Sequence, residues 1–155
     1  MDDFEIEERN GVFYLTGGLD ENARFGPLMG GSSGGPLKLN LSGVTAANSM
    51  GVKIFMNFIL DLGRVDIEFH ECSIVASELF NTFPAALGDP PIPSRVKSFH
   101  APYECKKCGH EWESLLTVRD HAKKVVDGMA SRCPKCGVEA APMERVEDLL
   151  MFLDA

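Results

Sequence analysis

Residues 37–62, LKLNLSGVTAANSMGVKIFMNFILDL, contain the pattern of a buried strand followed directly by that of an apolar helix. Leu37, Leu39 and Leu41 alternate with polar residues and predict a strand, and Ser42-Gly43 predicts a turn after it. Asn48 and Ser49 stand where a helix needs a cap. The apolar residues beyond it recur at three- and four-residue spacing, which predicts one buried helix face: Val52, Phe55, Met56, Ile59 and Leu62. A polar stripe runs along the same helix at fourfold spacing: Ser49, Lys53, Asn57 and Asp61.

The chain before this stretch predicts a hairpin and then a loop. Phe4 and Ile6 alternate with acids, Asn10-Gly11 is a two-residue turn signal, and residues 12–15 are apolar and rich in β-formers. Gly17-Gly18 is expected to end the second strand. Residues 17–36 hold seven glycines and two prolines, so we expect a surface loop with at most a broken helix at 20–29.

The loop also contains the sequence motif G-x-S-x-G at residues 31–35. A hydrolase nucleophile elbow with that motif needs a strand before the serine and a helix straight after it. Here Pro36 and a strand follow, and no Gly-Lys-Ser/Thr phosphate loop is present. We therefore predict no catalytic site in this loop.

The chain after the helix predicts another strand and another helix. Gly63 ends the first helix, residues 65–69 alternate as a strand, and Ser73 begins a helical pattern that runs to Gly88. Its apolar residues mostly share one side: Ile74, Leu79, Phe80, Phe83 and Leu87. The element order predicts an α/β fold for residues 1–88, a small four-stranded mixed sheet with helices packed on it.

Residues 89–102 break all periodicity with closely spaced prolines. This composition predicts a stiff, extended connector between two folding units. We therefore expect domains at 1–88 and 103–155, joined by a Pro-rich linker at 89–102.

The net charge of −8 is distributed unevenly. Residues 1–88 carry twelve acids against five bases, whereas residues 103–141 carry six acids against seven bases. The acidic N-terminal part argues against broad nucleic-acid binding. The sequence shows neither a secretion signal nor an uninterrupted apolar span, so we expect a cytoplasmic protein that does not cross a membrane.

Four of the five cysteines form two Cys-x-x-Cys-Gly motifs: Cys105 with Cys108, and Cys133 with Cys136. Two residues between thiolates let the chain curl round one ion, and four soft anionic ligands favour tetrahedral zinc. The sequence therefore predicts a structural zinc ribbon, with an extended hairpin or a helix at 116–126 between the motifs. A complete set of four thiolates leaves no open position for catalysis, and a module this small is expected not to fold without its ion.

His110 and His121 could substitute as metal ligands, but four cysteines already fill the coordination of zinc, and His70, His100 and Cys72 have no partner at ligand spacing. We interpret His110 and His121 as surface histidines beside a complete cysteine set, and His70 and His100 as ordinary surface or core residues. Cys72 is expected to be a small buried hydrophobe. Val146, Leu149, Leu150 and Leu153 predict a short amphipathic C-terminal helix, which packs on the ribbon or the first domain or binds a partner.

Residues 39–51, L-N-L-S-G-V-T-A-A-N-S-M-G, resemble the STAS domain of bacterial anti-sigma factor antagonists, whose motif runs from a strand into Asp-Ser-Ser/Thr-Gly at a helix start. The resemblance extends over most of residues 4–88 and includes Gly18-Leu19-Asp20 and Glu71-Cys72-Ser73. The two cysteine motifs resemble a common zinc-ribbon module appended to that domain.

The resemblance implies a regulatory protein-binding module in bacterial signalling or transcription, and not an enzyme. In that family the first serine after the aspartate is phosphorylated by an anti-sigma kinase, and only the unmodified form binds its partner. The matching serine is Ser49, within a partner-binding surface formed by Asn48, Ser49, Met50 and Gly51. Asn48 replaces the family's aspartate and Met50 replaces Ser or Thr, so three hypotheses stay open: a phosphoswitch at Ser49, a helix-capping role for Ser49, and permanent contact of Met50 with a partner or a second copy of the chain.

An alternative function uses the ribbon as an adaptor for nucleic acid or the transcription machinery. The residues that would contact it are lysines: Lys106, Lys107, Lys123, Lys124 and Lys135. Binding of this kind would fall steeply with salt.

Overall fold

A computed structural model of the chain describes residues 1–28, 35–63, 66–143 and 148. The predicted C-terminal helix and most of the G-x-S-x-G segment lie outside these residues. None of the helices in the described ranges has the length and apolar character needed to cross a membrane.

The first sheet begins with the predicted hairpin. Strand β1, Glu5–Arg9, pairs antiparallel with β2, Val12–Leu19, and Asn10 and Gly11 both have positive φ, 51° and 82°, as a two-residue hairpin turn requires. Gly17-Gly18 does not end β2, contrary to the prediction. Because these two glycines have no side chain, residues 1–3 can pack directly against them. A Cβ on Gly17 would collide with the Asp3 carbonyl. The Gly18 N–H donates to Asp2 O at 2.9 Å.

Strand β3, Leu37–Ala47, lies parallel to β2 and to β4, Ile67–His70. The predicted turn at Ser42-Gly43 is wrong, since β3 continues through both residues. The register against β2 shifts there by one residue, so a β-bulge absorbs the break. The strand order β1-β2-β3-β4 confirms the predicted four-stranded mixed sheet.

Two α-helices pack on this sheet: α1, Ser49–Leu62, and α2, Ile74–Thr82. Gly63 ends α1 as predicted, with φ 64°, and Ser73 caps α2 by accepting from the Ala76 N–H at 3.1 Å. The second helical pattern is shorter than predicted because Pro84 begins a separate 3-10 helix, Pro84–Leu87. Phe83 therefore leaves the buried face and is exposed.

The broken helix expected at 20–29 contracts to one 3-10 turn, Gly26–Leu28. Phe25 beside it stacks on Phe58 of α1, with ring centroids 4.8 Å apart. Rings of α1, β4 and α2 also meet, Phe55 with Phe69 at 6.1 Å and Phe69 with Phe80 at 5.0 Å. Both helices therefore share one core over one face of the sheet.

The second sheet contains β5, Ser98–Glu104, β6, Glu111–Asp120, and β7, Val125–Asp127, in antiparallel order. The hairpin alternative between the cysteine motifs is thus confirmed, and the helix alternative is wrong. A short pair follows, β8, Ser131–Arg132, with β9, Glu139–Ala140.

Residues 89–102 are not the extended connector that their prolines predict. They contain a 3-10 helix, Pro93–Arg95, and the start of β5, and the Lys97 and His100 N–H groups donate to Phe69 O and Cys72 O, both at 2.8 Å. Val96, Phe99 and Ala101 are buried in the same hydrophobic cluster as the first sheet. The two sheets therefore share a core across the predicted boundary, and independent folding of 1–88 and 103–155 stays a prediction.

Candidate metal centre and partner-binding surface

The two Cys-x-x-Cys-Gly motifs adopt the same backbone geometry. In the first motif, the Cys105 N–H donates to His110 O at 2.8 Å and the Gly109 N–H donates to Cys105 O at 2.9 Å. In the second motif, the Cys133 N–H donates to Val138 O and the Gly137 N–H donates to Cys133 O, both at 2.9 Å. Gly109 and Gly137 have φ of 76° and 77°, a conformation that glycine adopts without strain. Each motif is therefore a knuckle that turns its two thiols to one side.

The two knuckles bring four sulfurs together. The ligand atoms of Cys105, Cys108, Cys133 and Cys136 all lie within 4.8 Å of one another, with Cys105 Sγ 3.4 Å from Cys136 Sγ and Cys108 Sγ 3.6 Å from Cys133 Sγ. Tetrahedral zinc with bonds of about 2.3 Å separates its sulfurs by roughly 3.8 Å. The cluster therefore fits one metal ion of this kind.

Backbone amides favour the anionic form of two of these thiols, Cys105 and Cys133. The Cys108 backbone N lies 3.4 Å from Cys105 Sγ, and its N–H, together with the Cys136 thiol and the Lys107 N–H, lowers the pKa of the Cys105 thiol to about 6. A sulfur that is a thiolate near neutral pH is the form that a metal binds.

Two aromatic residues join the first knuckle's strands to the segment that leads into the second knuckle. The Tyr103 hydroxyl donates to Met129 O at 2.6 Å, and Trp112 Nε1 donates to Ser131 Oγ at 3.0 Å. The two rings stack with centroids 5.5 Å apart. Nothing in the sequence identifies Met129 and Ser131 as the partners of these two aromatic residues.

None of the histidines belongs to the four-sulfur cluster. His110 stacks on Trp112, His70 Nε2 lies 2.9 Å from Glu68 Oε1, and His121 Nε2 lies 2.6 Å from Val96 O. Cys72 is fully buried, and burial raises the pKa of its thiol. These positions agree with the structural roles expected for the side chains.

The five candidate lysines do not form one surface. Lys106, Lys107 and Lys135 are exposed on the knuckles, whereas Lys123 and Lys124 lie in the turn after β6. A ten-residue strand separates the two groups by on the order of 30 Å. Nucleic-acid binding stays a prediction, with three lysines at most available at the metal centre.

The second candidate site is the first turn of α1. The Asn48 side chain caps the helix by accepting from the Gly51 N–H at 2.9 Å. Of the two predicted cap candidates Asn48 is therefore confirmed, and the capping role for Ser49 is wrong, because Ser49 is already the first helical residue. Ser49 and Met50 follow as the first two helical residues and are exposed, Met50 at 52%. Gly51 is buried. It packs so closely on the end of β2 that a Cβ there would collide with the backbone carbonyl of Leu19.

Sequence reasoning missed Glu21 at this site. Its carboxylate accepts from Asn48 Nδ2 at 3.1 Å, and its own backbone N–H and then the Asn48 amide lower its pKa. The loop after β2 thus places a negative charge beside the start of α1. A contact across 27 residues leaves no local signal in the sequence.

No protein-family model, curated protein or solved structure matches this chain.

Proposed function

We propose that this chain is a non-enzymatic regulatory module of the anti-sigma factor antagonist type, which binds a protein partner through the start of α1. The STAS-like motif at residues 39–51 supports this proposal. So does the mixed sheet, in which β3 leads directly into α1.

The observation that carries the proposal is the exposure of Ser49 and Met50 in a well-capped first helical turn. A cap orders the backbone of the first helical turn, so less backbone freedom is lost when a partner binds there. Met50 supplies exposed apolar area, and Ser49 beside it supplies a hydroxyl. This pairing suits an interface in which modification of the serine changes the affinity.

Phosphorylation of Ser49 would act through charge. It adds about −1.5 to −2 charges at pH 7, at a helix end whose dipole stabilises anions. Glu21 already places a carboxylate beside Asn48, so the modified surface would be strongly negative. A partner that packs on Met50 would then lose affinity without unfolding of the domain.

The metal in this proposal is zinc, because four thiolates are a ligand set that zinc prefers. Cys105, Cys108, Cys133 and Cys136 would hold it in a closed site. Its contribution would be structural, since it joins the second knuckle to the β5–β6 hairpin.

The partner surface can be tested with Met50→Glu and a matched control, Leu60→Glu. Both side chains are exposed on α1, at 52% and 39%, but near opposite ends of the helix. We expect Met50→Glu to lower the capture of a specific protein by at least tenfold, because burying an unpaired charge costs more than about 1.4 kcal/mol. Quantitative affinity capture on the full chain measures this effect.

Leu60→Glu should capture the same protein as the wild type. Equal capture by all three proteins, or equal loss with both variants, would contradict the proposed surface. Sedimentation of the wild type and Met50→Glu shows whether the partner is a second copy of the chain.

A further inference from the structure

A second surface lies between α2 and β5. A cavity of about 40 Å³ opens there, larger than the roughly 10–15 Å³ that one water molecule needs. Its walls combine apolar and hydrogen-bonding side chains: Ile74, Ser77, Glu78, Asn81, Phe99, His100 and Pro102. It belongs neither to the metal centre nor to the start of α1.

Ser77 lines this cavity and lacks an internal partner. The residue is 9% exposed, and its buried hydroxyl has no hydrogen-bond partner among the described residues. A buried hydroxyl without a partner costs on the order of 1–3 kcal/mol. A ligand group that enters the cavity and meets a rotated Ser77 hydroxyl would offset this cost.

The cavity lies beside the outer face of the second sheet, since two residues of that face, His100 and Pro102, line it. His100 pairs directly with Leu115 in the register of β5 and β6, and Pro102 pairs with Glu113, so their side chains lie together on that face. Leu115 is 40% exposed. Met143, which is 52% exposed, donates its N–H to Pro102 O at 2.9 Å. Exposed apolar residues therefore lie next to two residues that line the cavity, His100 and Pro102.

The same face is acidic. Glu104 lies directly opposite Glu111 in the β5–β6 pairing, and Glu113 lies two residues further along β6. Like charges placed opposite one another destabilise a sheet, and within the described ranges no ion pair reaches any of these carboxylates. Glu78 adds a further exposed carboxylate at the cavity.

We propose that this α2–β5 face, which comprises Ser77, His100, Pro102, Leu115 and the four glutamates, is a docking site for a basic polypeptide segment of a partner protein. Its lysine or arginine side chains pair with the glutamates. An apolar side chain covers Leu115, and a short side chain enters the cavity and hydrogen-bonds to Ser77. Charge complementarity selects this occupant over the chain's own residues 144–155, which hold four acids and one base.

The test is selection of a phage-displayed library of random twelve-residue peptides on the full, metal-loaded chain. We expect the selected peptides to be rich in lysine and arginine with apolar residues among them. Binding of the tightest synthetic peptide should weaken by roughly tenfold or more when salt rises from 0.05 to 0.5 M, because the paired charges are exposed.

Four variants locate the site. Leu115→Asp and the double variant Glu104→Gln/Glu113→Gln should each weaken the peptide by about tenfold or more, and Ser77→Ala by roughly three- to tenfold. The control Leu60→Asp changes a side chain of nearly equal exposure, 39%, on another surface and should leave binding unchanged. Circular dichroism confirms that each variant is folded.

Three results would overturn the proposal. The first is selection of peptides with no excess of basic residues. The second is equal binding by wild type, Leu115→Asp and the double glutamine variant. The third is a different occupant, shown by a wild-type dimer that Leu115→Asp dissociates, or by peptide selection that succeeds only after deletion of residues 144–155.

Discussion

Removal of the metal is expected to release the second knuckle from the β5–β6 hairpin and to shift the emission of Trp112 to longer wavelength. The four thiolates supply the metal's whole coordination shell, and binding of structural zinc contributes on the order of 10 kcal/mol to folding. Without it, hydrogen bonds from Tyr103 to Met129, from Trp112 to Ser131 and from Met143 to Pro102 still hold the two ends of residues 128–143. We expect the second knuckle between those ends to lose its order. Trp112 then gains contact with water.

The structure indicates that only part of the ribbon depends on the metal, whereas the sequence predicted that the whole ribbon would unfold without it. Phe99, Ala101 and Leu116 of the hairpin are buried in the shared core, so β5 and β6 should survive chelation. Fluorescence before and after chelation, with hydrogen exchange by segment, measures both effects.

Cysteine variants provide the matched control for metal content. Atomic absorption should find one zinc per chain in the wild type and in Cys72→Ala, whose buried thiol lies outside the cluster. Cys105→Ser should lose it. Absence of stoichiometric metal in the wild type, together with an unchanged Trp112 spectrum on chelation, would contradict the metal centre.

Gly51→Ala is expected to destabilise the protein, although alanine is the better helix former. In a helix interior the replacement gains at most about 1 kcal/mol. Here the new Cβ would collide with the Leu19 carbonyl, and backbone of a buried strand cannot move aside, so overpacking of about 3 kcal/mol outweighs that gain. We expect a net loss of about 2 kcal/mol, or a fall in Tm of roughly 4–8 °C for a chain of this size.

Gly26→Ala is the matched control for that variant. A Cβ at Gly26 meets no atom within 4 Å, so its Tm should change by about 2 °C at most. Thermal unfolding followed by circular dichroism compares the two variants. A Gly51→Ala protein as stable as the wild type would mean that α1 does not pack against the end of β2 as described.

Local signals predicted the elements of the first sheet well. The Asn10-Gly11 turn, the Asn48 and Ser73 caps and the Gly63 stop are each specified by residues within one turn of the position that they control. The four cysteines are similarly explicit, because their spacing alone fixes how the chain curls round an ion.

Non-local contacts account for what the sequence did not reveal. Ser42-Gly43 has the composition of a turn, but the register against β2 makes it a bulge. This pairing with β2 could not be predicted from the residues next to Ser42. The prolines at 90–93 obscured the alternation of Phe99, Ala101 and Tyr103, which in the structure form the buried face of β5. The Glu21–Asn48 contact depends on the path of the loop after β2, which has no sequence signature.

The proposed switch at Ser49 can be tested by affinity capture with wild type, Ser49→Ala and Ser49→Asp in parallel. We expect wild type and Ser49→Ala to capture the same specific protein. Ser49→Asp should capture at least tenfold less of it, since the aspartate places a lasting charge at the first turn of α1. All three proteins should show the same Tm within about 2 °C, because Ser49 is exposed. Identical partner sets for all three proteins would contradict a switch at Ser49.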